Sequence, residues 1–136
     1  MWRGWTSGAV ASLMLAGCSS LAGQGCPAGL HRAQTAELFF GRNRGSVEAV
    51  SDADWRAFVA AEVTVRFPDG YTVSDADGAW RGGDGATIHE RSKMLLIVLP
   101  GHADDDARLT AIREAYRQRF HQQSVMLLES GSCVSF

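Results

Sequence analysis

Two hydrophobic periodicities take turns along residues 35–136, and their order restricts the fold more than any single motif does. Thr35-Ala-Glu-Leu-Phe-Phe-Gly41 reads as a first strand, closed by Gly41-Arg-Asn-Arg-Gly45, whose glycines and Asn43 suit a turn. Ser51 then stands ahead of Asp52 and Asp54, an N-cap with acids where a helix dipole favours them. Behind it Trp55, Phe58, Val59 and Val63 recur at helical spacing, which predicts a helix to about Phe67, ended by Pro68-Asp-Gly70. Tyr71-Thr-Val-Ser-Asp75 is a second strand that continues irregularly to Trp80 and Arg81, and Gly82-Gly-Asp-Gly85 makes a hairpin turn. The third strand runs from Thr87 to Leu99; its β-branched content and the following Pro100 favour strand over helix. Asp104, Asp105 and Asp106 open a second helix with Leu109, Ile112, Tyr116 and Phe120 on one stripe and Arg113, Arg117 and Arg119 near its end. Ser124-Val-Met-Leu-Leu128 is the fourth strand. Strand, helix, strand, strand, helix, strand is the split βαβ order, an α+β ferredoxin-like sandwich. Two right-handed crossovers then give an antiparallel sheet in the order fourth, first, third, second, with both helices on one face.

The amino end reads differently. Met1-Trp-Arg-Gly-Trp5 is a short cationic start, followed by the apolar run Gly8-Ala-Val-Ala-Ser-Leu-Met-Leu-Ala-Gly17. Such a run is too short to span a bilayer as a helix but matches the centre of a secretory signal. It ends in Leu15-Ala16-Gly17-Cys18, which resembles a bacterial lipobox, with Cys18 as the residue that carries the lipid. The alternative is ordinary cleavage with Cys18 left as a thiol. Ser19 and Ser20, where an aspartate is absent, imply sorting to the outer membrane, facing the periplasm, if the source has two membranes. The expected organisation is a signal peptide over 1–17, a lipidated tether over 18–32 and one domain over 33–136 of the 136 residues.

Three cysteines leave two, Cys26 and Cys133, once Cys18 is acylated, and two close one disulfide in an oxidising compartment. The topology agrees: the fourth strand runs antiparallel beside the first, so its end near Cys133 lies beside the first strand's beginning, just after Cys26. Closing a loop of roughly 100 residues contributes about 4 to 5 kcal/mol on the entropy model.

A net charge of -2 gives no cationic surface for nucleic acid. Asp75-Ala-Asp-Gly78 starts like a calcium loop, but its ligands stop after two and no glutamate follows, so it reads as a turn. His31, His89, His102 and His121 lack metal spacing, and no metal or cofactor is expected. There is no nucleophile elbow and no phosphate-cradling glycine loop, so no catalytic residue is assigned. Lys93 would form a Schiff base only if buried with its pKa depressed; at a strand start it is expected to face solvent.

The topology gathers Arg42, Arg44, Ser51, His89, Glu90, Arg117 and His121 on one rim. Arginines beside a helix N-terminus suit a carboxylate or phosphate, although Asp52 and Asp54 already occupy that dipole and a solvated charged rim is the plainer reading. The helices cover one sheet face only. Met94 to Leu99, Val125 to Leu128 and Leu38 to Phe40 are nevertheless apolar at consecutive positions, so apolar groups point both ways. The second face then needs a cover. The expected one is a homodimer or another envelope protein, the alternative being the tether or the extension around Trp80.

Glu37-Leu-Phe-Phe-Gly-Arg-Asn43, Val50-Ser-x-x-x-Trp55, Arg66-Phe-Pro-Asp-Gly70, Asp77-Gly-x-Trp80, Glu90-x-Ser-Lys93 and Cys133-Val-Ser-Phe136 stand in order along the domain. Together they resemble the bacterial lipoprotein family known as domain of unknown function 3574. The resemblance implies a single secreted domain and brings no catalytic residues with it. The reading is therefore a membrane-anchored envelope lipoprotein acting as a binding or assembly module rather than an enzyme. The alternative is a small dimeric ferredoxin-like enzyme or anionic-ligand-binding protein using the free sheet face.

Overall fold

The computed structural model describes residues 25–136. The signal peptide and the lipidated Cys18 expected from the sequence lie outside the described residues. The elements are β1 (His31–Gly41), β2 (Asn43–Arg44), β3 (Val47–Glu48), α1 (Asp52–Phe58), β4 (Thr72–Arg81), β5 (Thr87–Val98), α2 (Asp105–Phe120) and β6 (Met126–Val134). The four long strands form one antiparallel sheet ordered β4-β5-β1-β6. This is the α+β ferredoxin-like arrangement that the alternation of periodicities predicts.

Register explains where the core lies. Leu38 sits opposite Leu95 on β5 and Leu127 on β6. Ala36, Leu38 and Phe40 of β1 and Leu95 and Ile97 of β5 are buried, so alternate residues of both strands face the helices. Against them α1 lays Trp55 and Phe58, and α2 lays Leu109, Ile112 and Tyr116. Phe40 and Phe58 both meet the Tyr116 ring edge-on, at centroid distances of 4.8 and 5.0 Å, an arrangement that adds to burial alone. The opposite face carries Phe39, Met94, Leu96 and Val98, half-buried, and Met126 and Leu128, each about half exposed. Apolar side chains do point both ways from the sheet.

Local details depart from the sequence reading in three places. β1 begins at His31, so two residues assigned to the tether are strand, and β6 continues to Val134, because the two pair along their length from His31 opposite Val134 to Phe39 opposite Met126. The second departure is Asp75-Ala-Asp-Gly78, which is not a turn. It pairs residue for residue with Lys93 to Glu90 on β5, and this pairing overrides the turn preference of its acids and glycine. The third is α1, which does not continue to Phe67 as regular helix. It starts at the expected cap: Ser51 Oγ accepts from Asp54 N (3.1 Å) while Asp54 Oδ2 accepts from Ser51 N (3.2 Å). After Phe58, however, Val59–Val63 winds more widely, and Thr64 N donates to Val59 O five residues back (2.9 Å).

Candidate binding groove and the charged rim

β1 and β6 bring Arg32 opposite Cys133, and Cys26 is bonded to Cys133 across a Cα–Cα distance of 5.5 Å. The disulfide expected from cysteine counting is present.

At the other end of β1, Arg42 is 2% exposed. Gly45, at φ +64, lets the chain double back so that β2 and β3 pair and return Glu48 over Arg42. Arg42 Nη2 lies 2.8 Å from Glu48 Oε1 and 3.3 Å from Asp52 Oδ1, and its Nε donates to Val50 O (2.8 Å). Its Nη1 is buried without a partner. Around it the backbone is also tied: Tyr116 Oη donates to Gly41 O, Asn43 N to Glu90 Oε1, and Gln122 Nε2 to Asn43 O, at 2.9 to 3.0 Å. A Cβ at Gly41 would stand 2.6 Å from Glu90 Oε1, so the carboxylate would have to swing off Asn43 N to admit one. Desolvation raises the pKa of the Tyr116 hydroxyl, which is a structural donor.

The rim read from the sequence is therefore divided. Arg42 and Glu90 meet around Gly41 and Asn43, but Arg42 is engaged by Glu48, Asp52 and the Val50 carbonyl. Arg44 and Ser51 are exposed, the latter spent on the α1 cap, and His89 is exposed on β5. Arg117 turns to its own neighbourhood, donating to Glu114 (2.7 Å) and Gln123 O (3.0 Å). His121 holds the left-handed position after α2, at φ 56, and its N–H caps Arg117 O.

The sequence reading missed the group one turn away. Lys93 does not face solvent: it is 8% exposed, opposite Asp75 on β4 and Phe40 on β1. Its Nζ lies 2.8 Å from Asp52 Oδ1 and 2.5 Å from Asp75 Oδ1. Its hydrogen bonds to both carboxylates raise its pKa, and the same contact lowers that of Asp52. Lys93 is thus a fixed ammonium and not a Schiff-base nucleophile. The two carboxylates are 56% and 68% exposed, so the triad opens onto solvent. It borders a groove of about 560 Å³ between β4 and α1 with its wide turn. Trp55, Val59, Ala60 and Val73 give the groove apolar walls, and Thr64 Oγ1 and Tyr71 Oη, 2.7 Å apart, close one side. Arg56 adds a positive charge at the border. A second cleft, about 800 Å³, lies at the β1 start on the uncovered side of the sheet, between Leu96, Val98 and Phe136.

Among the described residues, His102, Asp104 and Asp105 bring ligand atoms within 4.8 Å of one another. Arg108 stands among them, donating from Nε to Asp104 Oδ2 (2.9 Å) with Nη1 3.3 Å from His102 Nδ1. The cluster is an ion-pair network at the start of α2, organised around a guanidinium.

Solved structures of a phage SAM lyase share the fold. A phage SAM lyase in the apo state aligns with a TM-score of 0.56 at 18% identity, over 77% of this chain and 90% of that one. A phage SAM lyase in complex with S-methyl-5′-thioadenosine aligns at 0.58 and 19% identity, over 86% and 97%. CutA from Synechococcus elongatus aligns at 0.47 and 12% identity, over 74% and 80%. No curated protein matches the chain. The family described as "Protein of unknown function (DUF3574)" matches residues 35–136, nearly all of the sheet and both helices, and the chain belongs to that family.

Proposed function

We propose that this is an exported envelope protein, held to the membrane by lipid on Cys18, whose domain serves as a binding module. The observation that carries the reading is the Cys26–Cys133 disulfide. It fits an oxidising compartment and uses both cysteines of the domain, which leaves Cys18 for acylation. Among the described residues no helix is long and apolar enough to cross a membrane. In a two-membrane source the address is the outer membrane, facing the periplasm. The uncovered sheet face, with Met126 and Leu128 half exposed, is the surface for a second copy or an envelope partner. Metabolic labelling with an alkyne palmitate is the test. The full-length chain takes the label, Cys18→Ser does not, and no thiol of the mature protein reacts with maleimide before reduction. A soluble cytoplasmic product with its leader uncut and three reactive thiols overturns the reading.

One observation favours a second reading, a small-ligand binder or enzyme of the same fold: a lyase structure that this domain resembles holds S-methyl-5′-thioadenosine, and the groove here is of ligand size. Calorimetric titration with S-methyl-5′-thioadenosine decides it. Saturable binding that Lys93→Met abolishes supports this alternative, and no heat at millimolar nucleoside removes it.

A further inference from the structure

Asp105 opens α2 and is 5% exposed. Its Oδ2 accepts from Gly101 N and His102 N, both at 2.9 Å, which holds the carboxylate in place under the loop that precedes the helix. Its Oδ1 is buried and takes no hydrogen bond from the described residues; its ion-pair partner, Arg108 Nη1, stands 4.0 Å away. Buried polar atoms are nearly always satisfied, so an idle oxygen on a buried acid needs a reason, and a bound cation is one. Two more metal-binding groups border the same space. His102 Nδ1 lies 3.3 Å from that Arg108 Nη1, and Asp104 Oδ2 lies 2.9 Å from Arg108 Nε. Asp104 stands at the N-cap of α2, yet its carboxylate caps no helix N–H and turns to Arg108. Within this cluster two carboxylates thus share one guanidinium, a charge mismatch that a dication removes.

We infer that His102, Asp104 and Asp105 form a site for a divalent cation of the zinc class, with Arg108 as the counter-ion that the metal displaces. One imidazole nitrogen and two carboxylate oxygens are a zinc donor set, and three protein donors leave a fourth position for water or a ligand. The imidazole favours a first-row transition metal over calcium, which prefers a shell of oxygens. The two backbone N–H groups on Asp105 Oδ2 are the outer partners that orient such a ligand. The three donor atoms lie within 4.8 Å of one another, and donors on one zinc ion stand about 3.3 Å apart. His102 and Asp104 are exposed and close that gap by side-chain rotation, while Asp105 stays fixed. Arg108 is 27% exposed, and a pair so near the surface holds it by about 1 kcal/mol or less, so it yields to the metal. The site lies apart from the β4–α1 groove, and the inference stands independently of the lipid anchor.

Calorimetric titration of Zn²⁺ into the full exported chain tests it, in detergent micelles, with the disulfide intact and no affinity tag. One ion is expected to bind with a Kd of about 10 μM or below, and Ca²⁺ is expected to give no saturable heat in the same range. His102→Ala and Asp105→Asn should each weaken zinc binding at least about tenfold. Arg108→Gln should tighten it, since the competing cation is gone. His102 is an exposed side chain, and asparagine at 105 keeps an oxygen for the two backbone donors, so a folding defect in one variant does not obscure the other. No saturable zinc binding up to about 1 mM by wild type and Arg108→Gln overturns the inference. So does binding that is indifferent to His102→Ala and Asp105→Asn, no tighter in Arg108→Gln, or matched by Ca²⁺.

Discussion

Arg42 and Lys93 are both nearly buried, and both touch Asp52, yet their surroundings differ in kind. Around Arg42 a buried backbone carbonyl takes Nε, Glu48 of the returning hairpin is part exposed, Asp52 is shared with Lys93, and the backbone is tied on either side. Around Lys93 the partners are two carboxylates that keep more than half their surface in water and edge a groove. Equal burial of a charge therefore says little about use. What separates the two is the buried carbonyl and tied backbone at Arg42 against the solvent-facing carboxylates at the groove edge around Lys93.

The comparison is broken most directly by substitution. Arg42→Ala leaves the buried Val50 carbonyl without its donor and empties a buried site, while Glu48 and Asp52 can turn to water, and about 2 to 5 kcal/mol of stability should go with it. Urea denaturation measures it, and a loss below about 1 kcal/mol means that the Arg42 region is not closed as described. Removing the staple with Cys26→Ser and Cys133→Ser should cost about 2 to 4 kcal/mol, while thermal melts still end in the same folded baseline. Gly41→Ala, which pushes the Glu90 carboxylate off Asn43 N, should cost about 1 kcal/mol and shift the Arg42 surroundings without affecting the groove. Lys93→Met should cost about 1 kcal/mol or less, because Asp52 and Asp75 can return to water. A loss as large as that of Arg42→Ala would erase the distinction between the two sites.

The smallest effect is in the pH dependence. The pKa of Asp52 is lowered in the fold, chiefly by Lys93, so its contribution is present above about pH 4 and fades as pH falls further. Lys93 is raised, so its contribution holds below its ordinary value of 10.5 and is lost as pH rises through the raised one. Denaturation midpoints should be flat between about pH 5 and 9 as far as this pair is concerned. Lys93→Met should flatten the acid limb more than Arg42→Lys does, and the reverse order would reassign Asp52 to Arg42.

Much of this fold was legible because it is written in local periodicity. Ser51 with Asp54 announced α1, the α2 stripe of Leu109, Ile112 and Tyr116 is the buried one, and handedness rules then ordered the strands. The cysteine pair followed from counting, and that order agreed with it. The groove was not legible, for a physical reason: Asp52, Asp75 and Lys93 belong to three elements and meet only through the β4–β5 register and the seat of α1. Read alone, Asp75-Ala-Asp-Gly78 has turn chemistry and Lys93 looks like a surface lysine. The rim is divided for the converse reason. Topology put its members at one end of the sheet, but side-chain partners then separated Arg42 inward and Arg117 back onto its own helix.

The wide winding at Val59–Val63 has a consequence of its own. Each residue of a regular helix turns the chain by about 100°, so one extra residue in a turn rotates everything before it relative to everything after. Val63 and Phe67 thereby reach the core while Val59, Ala60 and Thr64 are left to border the cleft. Deleting Ala60 would restore the ordinary pitch, keep the four-stranded sheet, and swing one bank of the channel out of line with the other.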